Sequence, residues 1–294
     1  MTTERPCPPF PHPHQRGLFL SAPATDVCVG GTPSSGIAIR VGMLTDVHYA
    51  DRDTVGTRYY RESLLKVTEA ARVFRERRVT LAFQLGDFTD VAADVPAKFA
   101  SIRRIGAVFR ECGAECRHLL GNHCLDGLSK EEQLAAVGEP RAVYSFDRGG
   151  WHFVVLDACF RRDGEPYARG DFDWTDSNIP DGQLDWLRAD LAHTCRPTVV
   201  LVHQRLDCEA PMGVNNASAV RDVLERSGKV LAVFQGHEHV GGYSEIGAIH
   251  YCTLKGVIEG PFPEENACAV VTFFGSGAIH FEGFRRQNGN GWND

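Results

Sequence analysis

The sequence predicts an α/β fold with two central mixed β-sheets and helices on their outer faces. From Ile37 onward, strand-length apolar segments alternate with segments of helical periodicity, and strands then accumulate toward the C-terminus. Such alternation is typical of sheets that are covered by helices. The chain has 294 residues, of which 43% are hydrophobic and 23% charged. These values are normal for a globular protein and exclude wholesale disorder.

The first 36 residues differ from the rest in composition. Five prolines fall within Met1–His14, and proline disrupts both helices and sheets. Gly30, Gly31, Pro33 and the small residues that follow are typical of a linker. We therefore predict a flexible Pro/Gly-rich tail over residues 1–36 and one domain over residues 37–294.

Charge and hydrophobicity limit the partners that this protein can have. The formal net charge is −7, whereas proteins that bind nucleic-acid backbones usually carry a basic patch. No apolar run reaches the roughly 18–20 residues that a membrane-spanning helix needs. Gly17–Pro23 is too short for the core of a signal peptide. We expect a cytoplasmic protein that binds neither a membrane nor a nucleic-acid polymer and has no obligate protein partner.

Five segments have the pattern of helices. In the first of them, Leu64, Val67 and Phe74 recur at helical spacing opposite a charged face. Pro96 suits the first turn of the second helix, and Gly228 suits the residue that ends the last one. The predicted helices are Tyr59–Arg77, Pro96–Cys112, Lys130–Val137, Gln183–His193 and Ala217–Ser227.

Ten short apolar segments are predicted to be strands. Gly149 and Gly150 separate two of them and predict a hairpin. The predicted strands are Ile39–Thr45, Thr80–Leu85, Arg117–Leu120, Val143–Phe146, Trp151–Leu156, Pro197–Val202, Val230–Gln235, Ala248–Leu254, Ala267–Phe274 and Ala278–Glu282.

Five of these strands are followed by residues that commonly bind metals. The five motifs are Asp46-Val47-His48, Gly86-Asp87, Gly121-Asn122-His123, His203 and Gly236-His237-Glu238-His239. Because ligand sites in α/β sheets form at the carboxyl ends of strands, we expect these motifs to converge. Carboxylate, imidazole and carboxamide donors without thiolate suit Mn²⁺, Fe or Zn²⁺. Seven donors are too many for one ion and fit two ions bridged by an aspartate, an arrangement that cleaves phosphate esters.

The order of the motifs resembles that of the calcineurin-like metallophosphoesterases, over residues Val41–His239. The resemblance implies a four-layer α-β-β-α sandwich with two bound divalent ions. It implies Asp46, His48 and His239 as ligands of the first ion, Asp87 as the bridge, and Asn122, His203 and His237 as ligands of the second. It also implies that His123 acts on the substrate without binding metal, and that Asp90 orients His123.

Further stretches are similar to the manganese-dependent ADP-ribose/CDP-alcohol diphosphatases. These stretches are Gly56–Leu64, Gln84–Asp87, Gln183–Leu187, Gly236–Glu245 and Leu254–Glu259. Val91 and Leu120 replace the arginines of phosphoprotein phosphatases, and Asp90 stands where purple acid phosphatases have a tyrosine ligand. Cys124 stands where the family usually carries an acid, so the hydrogen bonding around His123 stays open.

This similarity implies hydrolysis of a phosphoanhydride or phosphodiester in a small nucleoside diphosphate-linked molecule by a metal-activated hydroxide. Mn²⁺ is the ion that it implies, with Fe or Zn as alternatives. On the same metal core, the alternative is a broad-specificity phosphomonoesterase or a cyclic-nucleotide phosphodiesterase. A degenerate scaffold that only binds proteins is disfavoured, because none of the seven donors is missing.

Three residues near the first motif are candidates for substrate binding. Arg58 and Arg61 could hold a second phosphate bidentately, or could be exposed charges at the start of a helix. Tyr49 could stack on a base, or could pack within its loop.

Overall fold

The computed structural model describes residues 36–287, within which eleven strands form two mixed sheets. In chain order the strands are β1 (Ile37–Leu44), β2 (Leu81–Gln84), β3 (Glu115–His118), β4 (Tyr144–Arg148), β5 (Trp151–Val155), β6 (Thr198–Leu201), β7 (Val230–Gln235), β8 (Gly242–Ile246), β9 (Ile249–Thr253), β10 (Ala267–Phe274) and β11 (Ile279–Arg285). The first sheet has the order β11-β10-β1-β2-β3, and the second has the order β4-β5-β6-β7-β9-β8.

The strands that precede the predicted metal motifs are parallel within each sheet. In the first sheet, β1, β2 and β3 are parallel, while β10 is antiparallel to both β1 and β11. In the second sheet, β5, β6, β7 and β9 are parallel, and β4 and β8 pair antiparallel at the two edges. The carboxyl ends of each parallel set therefore meet along one edge of its sheet.

Five α-helices lie in the described part of the chain: α1 (Ser63–Glu76), α2 (Val95–Arg110), α3 (Lys130–Val137), α4 (Asp181–His193) and α5 (Ala217–Ser227). Local sequence explains their ends. The side chain of Asp94 caps α2 by accepting a hydrogen bond from the Ala97 amide at 2.8 Å. Ser129 and Glu132 form a capping box at the start of α3. Gly228 ends α5 in the left-handed conformation at φ 62°.

The helices and sheets stack in four layers. Helices α1 and α2 pack on the outer face of the first sheet, and α4 and α5 pack on the outer face of the second. Between the sheets lies the central core, in which the ring of Phe83 stacks on that of Phe153, and Phe273 makes edge-to-face contacts with Phe153 and Phe234. Because both faces of each sheet are covered, every residue of β2, β6 and β7 is buried. The predicted α-β-β-α arrangement is confirmed.

The five predicted helices and ten predicted strands are present, with ends that differ by a few residues. The first helix begins at Ser63 instead of Tyr59, because the Tyr59 amide donates to the Ile258 carbonyl at 3.0 Å. Strand β8 was not predicted, since it lies at the sheet edge and carries few apolar residues. The predicted tail over residues 1–36 falls outside the described residues except for Gly36 and stays a prediction. None of the helices within residues 36–287 is long and apolar enough to cross a membrane.

His152 ties the β4–β5 hairpin to α4. Its Nδ1 lies 2.7 Å from Asp147 Oδ1, and its Nε2 lies 2.8 Å from Asp190 Oδ2. Arg196 also donates to Asp147, and His193 is the further titratable group near Asp190. Burial opposes the charged imidazole, but the two carboxylates together raise the pKa of His152 above its ordinary value.

We expect His152→Gln to lower the free energy of unfolding more at pH 6 than at pH 9. A raised pKa in the folded state gives stabilisation that is complete below the ordinary value of 6.5 and is lost as the pH rises through the folded value. Urea denaturation of both proteins at the two pH values measures this. If the substitution lowers the free energy of unfolding equally at both pH values, the prediction is contradicted, because lost packing alone does not depend on pH.

Candidate active site

The seven predicted metal donors converge where strands of both sheets end. They are Asp46, His48, Asp87, Asn122, His203, His237 and His239. Two groups have ligand atoms within 4.8 Å of one another: Asp46 with His48 and His239, and Asp87 with His203 and His237. His48 Nε2 joins the groups, since it lies 3.7 Å from Asp46 Oδ1 and 3.7 Å from Asp87 Oδ2. Asn122 lines the same pocket as Asp87 and His237.

The hydrogen bonding of these side chains fits the two ions that the motifs imply. Among residues 36–287, thirteen buried side-chain nitrogen or oxygen atoms have no hydrogen-bond partner, and four of them belong to the predicted metal ligands: Asp46 Oδ1, Asn122 Oδ1, His203 Nε2 and His237 Nε2. The other oxygen of Asp46 accepts hydrogen bonds from Thr45 Oγ1 at 2.8 Å and from the His237 amide at 3.0 Å. Because buried polar atoms are normally paired, four such atoms in one cluster indicate a site that is completed by cations.

The backbone is bent sharply at four of the donors. Asp46, His48, Asp87 and His237 have φ values of 51°, 44°, 54° and 70°. Residues with a Cβ rarely adopt this left-handed region, and they persist there only when surrounding contacts hold them. Two such contacts are the hydrogen bonds from the Asp46 amide to the Gly86 carbonyl at 3.1 Å and from the His48 amide to the Asp87 carbonyl at 2.9 Å. The turn after each strand thus aims its donor into the cluster.

Two glycines of the motifs permit the close approach of neighbouring chains. A Cβ on Gly86 would collide with the ring of His203, and a Cβ on Gly121 would collide with Asp87. Gly86 also has a φ of 109°, which side chains disfavour. The glycines before Asp87 and Asn122 are therefore packing requirements of the cluster.

Three of the histidines are oriented through Nδ1, which leaves Nε2 directed to the cluster. His48 Nδ1 lies 2.9 Å from Asp90 Oδ2, and His239 Nδ1 lies 2.6 Å from Glu259 Oε1. His203 Nδ1 lies 2.8 Å from the Leu85 carbonyl, to which it donates. Such partners fix the tautomer and the ring plane of a metal-binding histidine.

The electrostatics also favour cations. Burial alone would raise the pKa of Asp46, but His203 and His239 hold it well below its usual range. The pKa of Asp87 is also lowered although burial opposes this, and His203 is the chief cause of the lowering. Burial lowers the pKa of His237 to about 3, so this ring is neutral and can donate a lone pair. Despite burial, the same carboxylates raise the pKa of His203, and Asp46 raises that of His239 to about 9, so metal binding would displace protons from these two rings.

The structure gives His123 a hydrogen-bond partner other than the predicted Asp90, although ligand atoms of His48, Asp90 and His123 lie within 4.8 Å of one another. Asp90 Oδ2 bonds to His48, and burial and this bond together leave the pKa of Asp90 at about 2. The partner of His123 is Asp126, whose Oδ2 lies 2.7 Å from His123 Nδ1. Burial disfavours a charge on His123, but Asp126 and then Asp87 raise its pKa to about 9. Cys124, which replaces the acid of the family motif, is fully buried and does not take this role.

His123 stands apart from the donors in its environment. Its side chain is 29% exposed and lines the pocket, whereas its backbone amide donates to Asp87 Oδ1 at 2.8 Å. Its ring centroid lies 4.8 Å from that of His48. His123 is therefore beside the cluster with access to a bound substrate.

Two buried lysines hold the loops that carry these residues. Lys98 of α2 donates to the carbonyls of Thr89, Asp90 and His123 at 3.1, 2.9 and 2.8 Å. Lys66 of α1 donates to the carbonyls of Val257, Glu259 and Gly260 at 2.8, 2.8 and 2.6 Å. Each ammonium thereby satisfies all three of its donors and fixes a loop that contains a histidine partner.

A pocket of about 980 Å³ opens above the cluster, and only one of the three predicted substrate-binding residues lines it. Arg58 is part of its wall. Arg61 is outside the lining and pairs instead with the exposed Asp51 and Asp53 at 2.6 and 2.5 Å. Tyr49 is buried in the core beneath α1 and α2 and cannot stack on a ligand. The prediction is therefore wrong for Arg61 and Tyr49.

Several site residues were missed by the sequence analysis. Asp126 and Glu259 orient histidines, and Trp174 lines the pocket beside His237 at a ring distance of 5.4 Å. Asp126 and Glu259 lie several residues after the ends of β3 and β9. This position after a strand was the signal in the sequence that could have found them. Trp174 lies in the long irregular segment between β5 and α4, where neither periodicity nor a motif marks it.

Comparison with known proteins agrees with this geometry. The chain belongs to the calcineurin-like phosphoesterase family, whose model matches residues 39–241. A protein of Oryza sativa named manganese-dependent ADP-ribose/CDP-alcohol diphosphatase is 26% identical over 75% of this chain and 84% of its own length. A probable cyclic nucleotide phosphodiesterase of Synechococcus is 24% identical over 69% of this chain and 74% of its own.

The fold is also that of a solved structure. A dimetal phosphatase from Danio rerio has a TM-score of 0.74 and 23% identity, with coverage of 85% of this chain and 97% of its own. This similarity confirms the four-layer sandwich. The family match and the two donor groups identify the chain as a metal-dependent phosphoesterase with a dinuclear metal site.

The roles of Asp90 and Asp126 can be distinguished experimentally. We expect Asp126→Asn to lower kcat about 10- to 100-fold at saturating Mn²⁺ with unchanged metal affinity, because it loosens His123. Asp90→Asn should weaken metal binding by a similar factor, because it loosens His48. Calorimetric Mn²⁺ titration and hydrolysis of bis(p-nitrophenyl) phosphate measure the two effects. Loss of metal in Asp126→Asn would show that Asp126 does not act through His123.

Proposed function

We propose that this enzyme uses Mn²⁺ to hydrolyse the phosphoanhydride of a small nucleoside diphosphate-linked compound of the ADP-ribose or CDP-alcohol type. The observation that carries the proposal is the pocket of about 980 Å³ above the donor cluster, which combines an arginine and an exposed tryptophan in its lining. Its volume suits a ligand of nucleotide size. The name of the Oryza sativa relative supports both the metal and the substrate class.

The proposed metal ligands follow the two donor groups. Asp46, His48 and His239 would hold one ion, and Asp87, His203 and His237 would hold the other. In the proposed assignment Asn122, which lines the same pocket, would add a ligand to the second ion, and Asp87 would be shared by both. When bound, two such ions polarise the scissile phosphate and lower the pKa of a water. The carboxylate and imidazole donors are compatible with Mn²⁺, and equally with Fe or Zn²⁺.

His123 is the proposed catalytic residue of the protein. Because its Nδ1 bonds to Asp126, its other ring nitrogen, Nε2, is the donor to the leaving oxygen or to the charge that develops on the phosphate. Asp126 is a positioning residue, and Asp90 is a positioning residue for His48. This division of work replaces the pairing of Asp90 with His123.

Arg58 is the proposed contact of the second phosphate. It lies on the Glu259 side of the cluster, where its backbone pairs with that of Glu259. A guanidinium can hold phosphate oxygens through two parallel hydrogen bonds. A diphosphate presents a second anionic group next to the scissile bond, whereas a phosphomonoester does not.

The alternative is cyclic-nucleotide phosphodiesterase activity on the same metal core, and the Synechococcus relative favours it. Rates of the Mn²⁺-loaded enzyme on ADP-ribose, CDP-choline, cyclic AMP and p-nitrophenyl phosphate separate the two activities. We expect kcat/KM for ADP-ribose or for CDP-choline to be at least about tenfold higher than for cyclic AMP and p-nitrophenyl phosphate. A tenfold ratio is equivalent to about 1.4 kcal/mol. Higher kcat/KM on cyclic AMP would contradict the proposal. Asp87→Ala is the inactive control.

Arg58 and Arg61 form a matched pair of variants three residues apart. We expect Arg58→Ala to raise KM for ADP-ribose about tenfold or more, because a charge-assisted contact to phosphate is lost. Arg61→Ala should change KM less than about twofold, since this side chain faces solvent outside the pocket. Steady-state kinetics on ADP-ribose measures both. Equal effects of the two substitutions would rule out a specific phosphate contact by Arg58.

A further inference from the structure

An exposed tryptophan stands at one end of the pocket. Trp174 is 40% exposed, although it is one of the largest apolar side chains. In contrast, Trp151 is buried in the central core and Trp186 packs against the core beneath α4. An exposed indole in the lining of a pocket is unfavourable for the free protein and is typical of ligand contacts.

The turn that carries Trp174 is held firmly. Asp173 Oδ1 accepts hydrogen bonds from the amide and the hydroxyl of Thr175 at 2.9 and 2.7 Å. The Asp176 amide donates to the Asp173 carbonyl at 3.0 Å, which closes the turn. Tyr167 Oη donates to the same carbonyl at 3.2 Å. The indole is thus presented on a fixed turn, so little conformational entropy is lost when a ligand binds against it.

The turn is also anchored to the neighbouring loop that contributes Met212 to the pocket. The Asn215 amide donates to the Ser177 carbonyl at 2.8 Å, and Asn215 Nδ2 donates to Asp176 Oδ1 at 2.8 Å. Trp174 and Met212 both line the pocket from these two connected segments, and we call the two residues the apolar wall. Met212 adds a flexible side chain that can adapt to the ligand.

The charged part of the pocket lies at the other donor group. Trp174 contacts His237, which belongs to the group of Asp87 and His203. Arg58 lies beside Glu259, whose carboxylate bonds to His239 of the Asp46 group. Trp174 thus lines the pocket at the His237 end, and Arg58 lines it at the His239 end together with Tyr59 and Glu259.

We propose that Trp174 is the platform on which the base of a nucleotide stacks, so that the base lies at the His237 end and the second phosphate lies at the Arg58 end. This inference rests on the proposed function and adds the direction in which the substrate lies. Planar stacking suits an indole, and every nucleobase offers a flat face to it. The ring would act on substrate affinity rather than on the chemical step.

An alternative occupant of this wall is the quaternary ammonium of a choline group, since such cations also bind over indole rings. The base is favoured because Arg205 already neutralises Glu238, the lining carboxylate that directly follows His237. No unpaired negative charge at this wall is therefore evident among the described lining residues to attract a cation. Phosphocholine serves as the probe for this alternative.

The test is calorimetric binding of AMP, ribose 5-phosphate and phosphocholine to the Mn²⁺-loaded full chain and to Trp174→Ala, Trp174→Phe and Trp186→Phe. Loss of base stacking should weaken AMP binding about tenfold or more in Trp174→Ala. Ribose 5-phosphate and phosphocholine should change less than about twofold in the same variant. Trp174→Phe should restore most of the AMP affinity, and Trp186→Phe, which is distant from the pocket, should match the wild type.

Unchanged AMP affinity in Trp174→Ala, or weakened binding of phosphocholine in place of AMP, would overturn the inference. Manganese content and thermal unfolding of each variant exclude a folding defect as the cause. For ADP-ribose, Trp174→Ala should raise KM with kcat nearly unchanged. Because the binding measurement needs no turnover, failure to hydrolyse ADP-ribose would reject the proposed function while the base platform is still judged by AMP.

Discussion

The burial of two ionised carboxylates side by side is the constraint on which the rest of this site depends. Asp46 and Asp87 are almost completely buried, and both lie 3.7 Å from the same atom, His48 Nε2. Two like charges in a buried environment repel each other and lose hydration. The surrounding histidines offset part of this cost when protonated, and two cations offset more. The buried donor atoms without partners are the structural consequence of this arrangement.

The fold holds this unfavourable arrangement by means that are themselves costly. Four donors have left-handed backbone conformations, and each such residue costs on the order of 1–3 kcal/mol. Lys66 and Lys98 are fully buried, and burial lowers the pKa of Lys66 to about 8, yet each ammonium binds three loop carbonyls. Strain and buried charge at a site are acceptable where the core is large, as it is between these two sheets. The same features keep the donors in place when no substrate is bound.

The sequence was sufficient for the fold and for the donors, because both depend on local patterns. Each donor motif directly follows an apolar strand, so its position at the sheet edge follows from the strand itself. The partners of His48 and His123 depend instead on the path of a loop over several residues. Asp90 and Asp126 each lie three residues after a motif residue, and the sequence alone could not decide which histidine each one contacts. Tyr49 follows His48 directly but points into the core, because Tyr49 and Thr89 form a parallel bridge there.

The residues that distinguish one phosphoesterase from another lie outside the donor motifs. The donors are fixed by strand ends, whereas Arg58 and Trp174 come from the segments before α1 and before α4. The turn that carries Trp174 is anchored by hydrogen bonds from Asn215 and Tyr167, and neither of these residues is a predicted metal ligand. These segments can therefore change in sequence without displacing the metal donors. This separation explains how one metal core can serve several substrates, since binding loops vary on a rigid scaffold. In this chain the variable segments place an exposed tryptophan beside His237 and an arginine beside Glu259, and this arrangement matches a substrate with a base at one end and a phosphate group at the other.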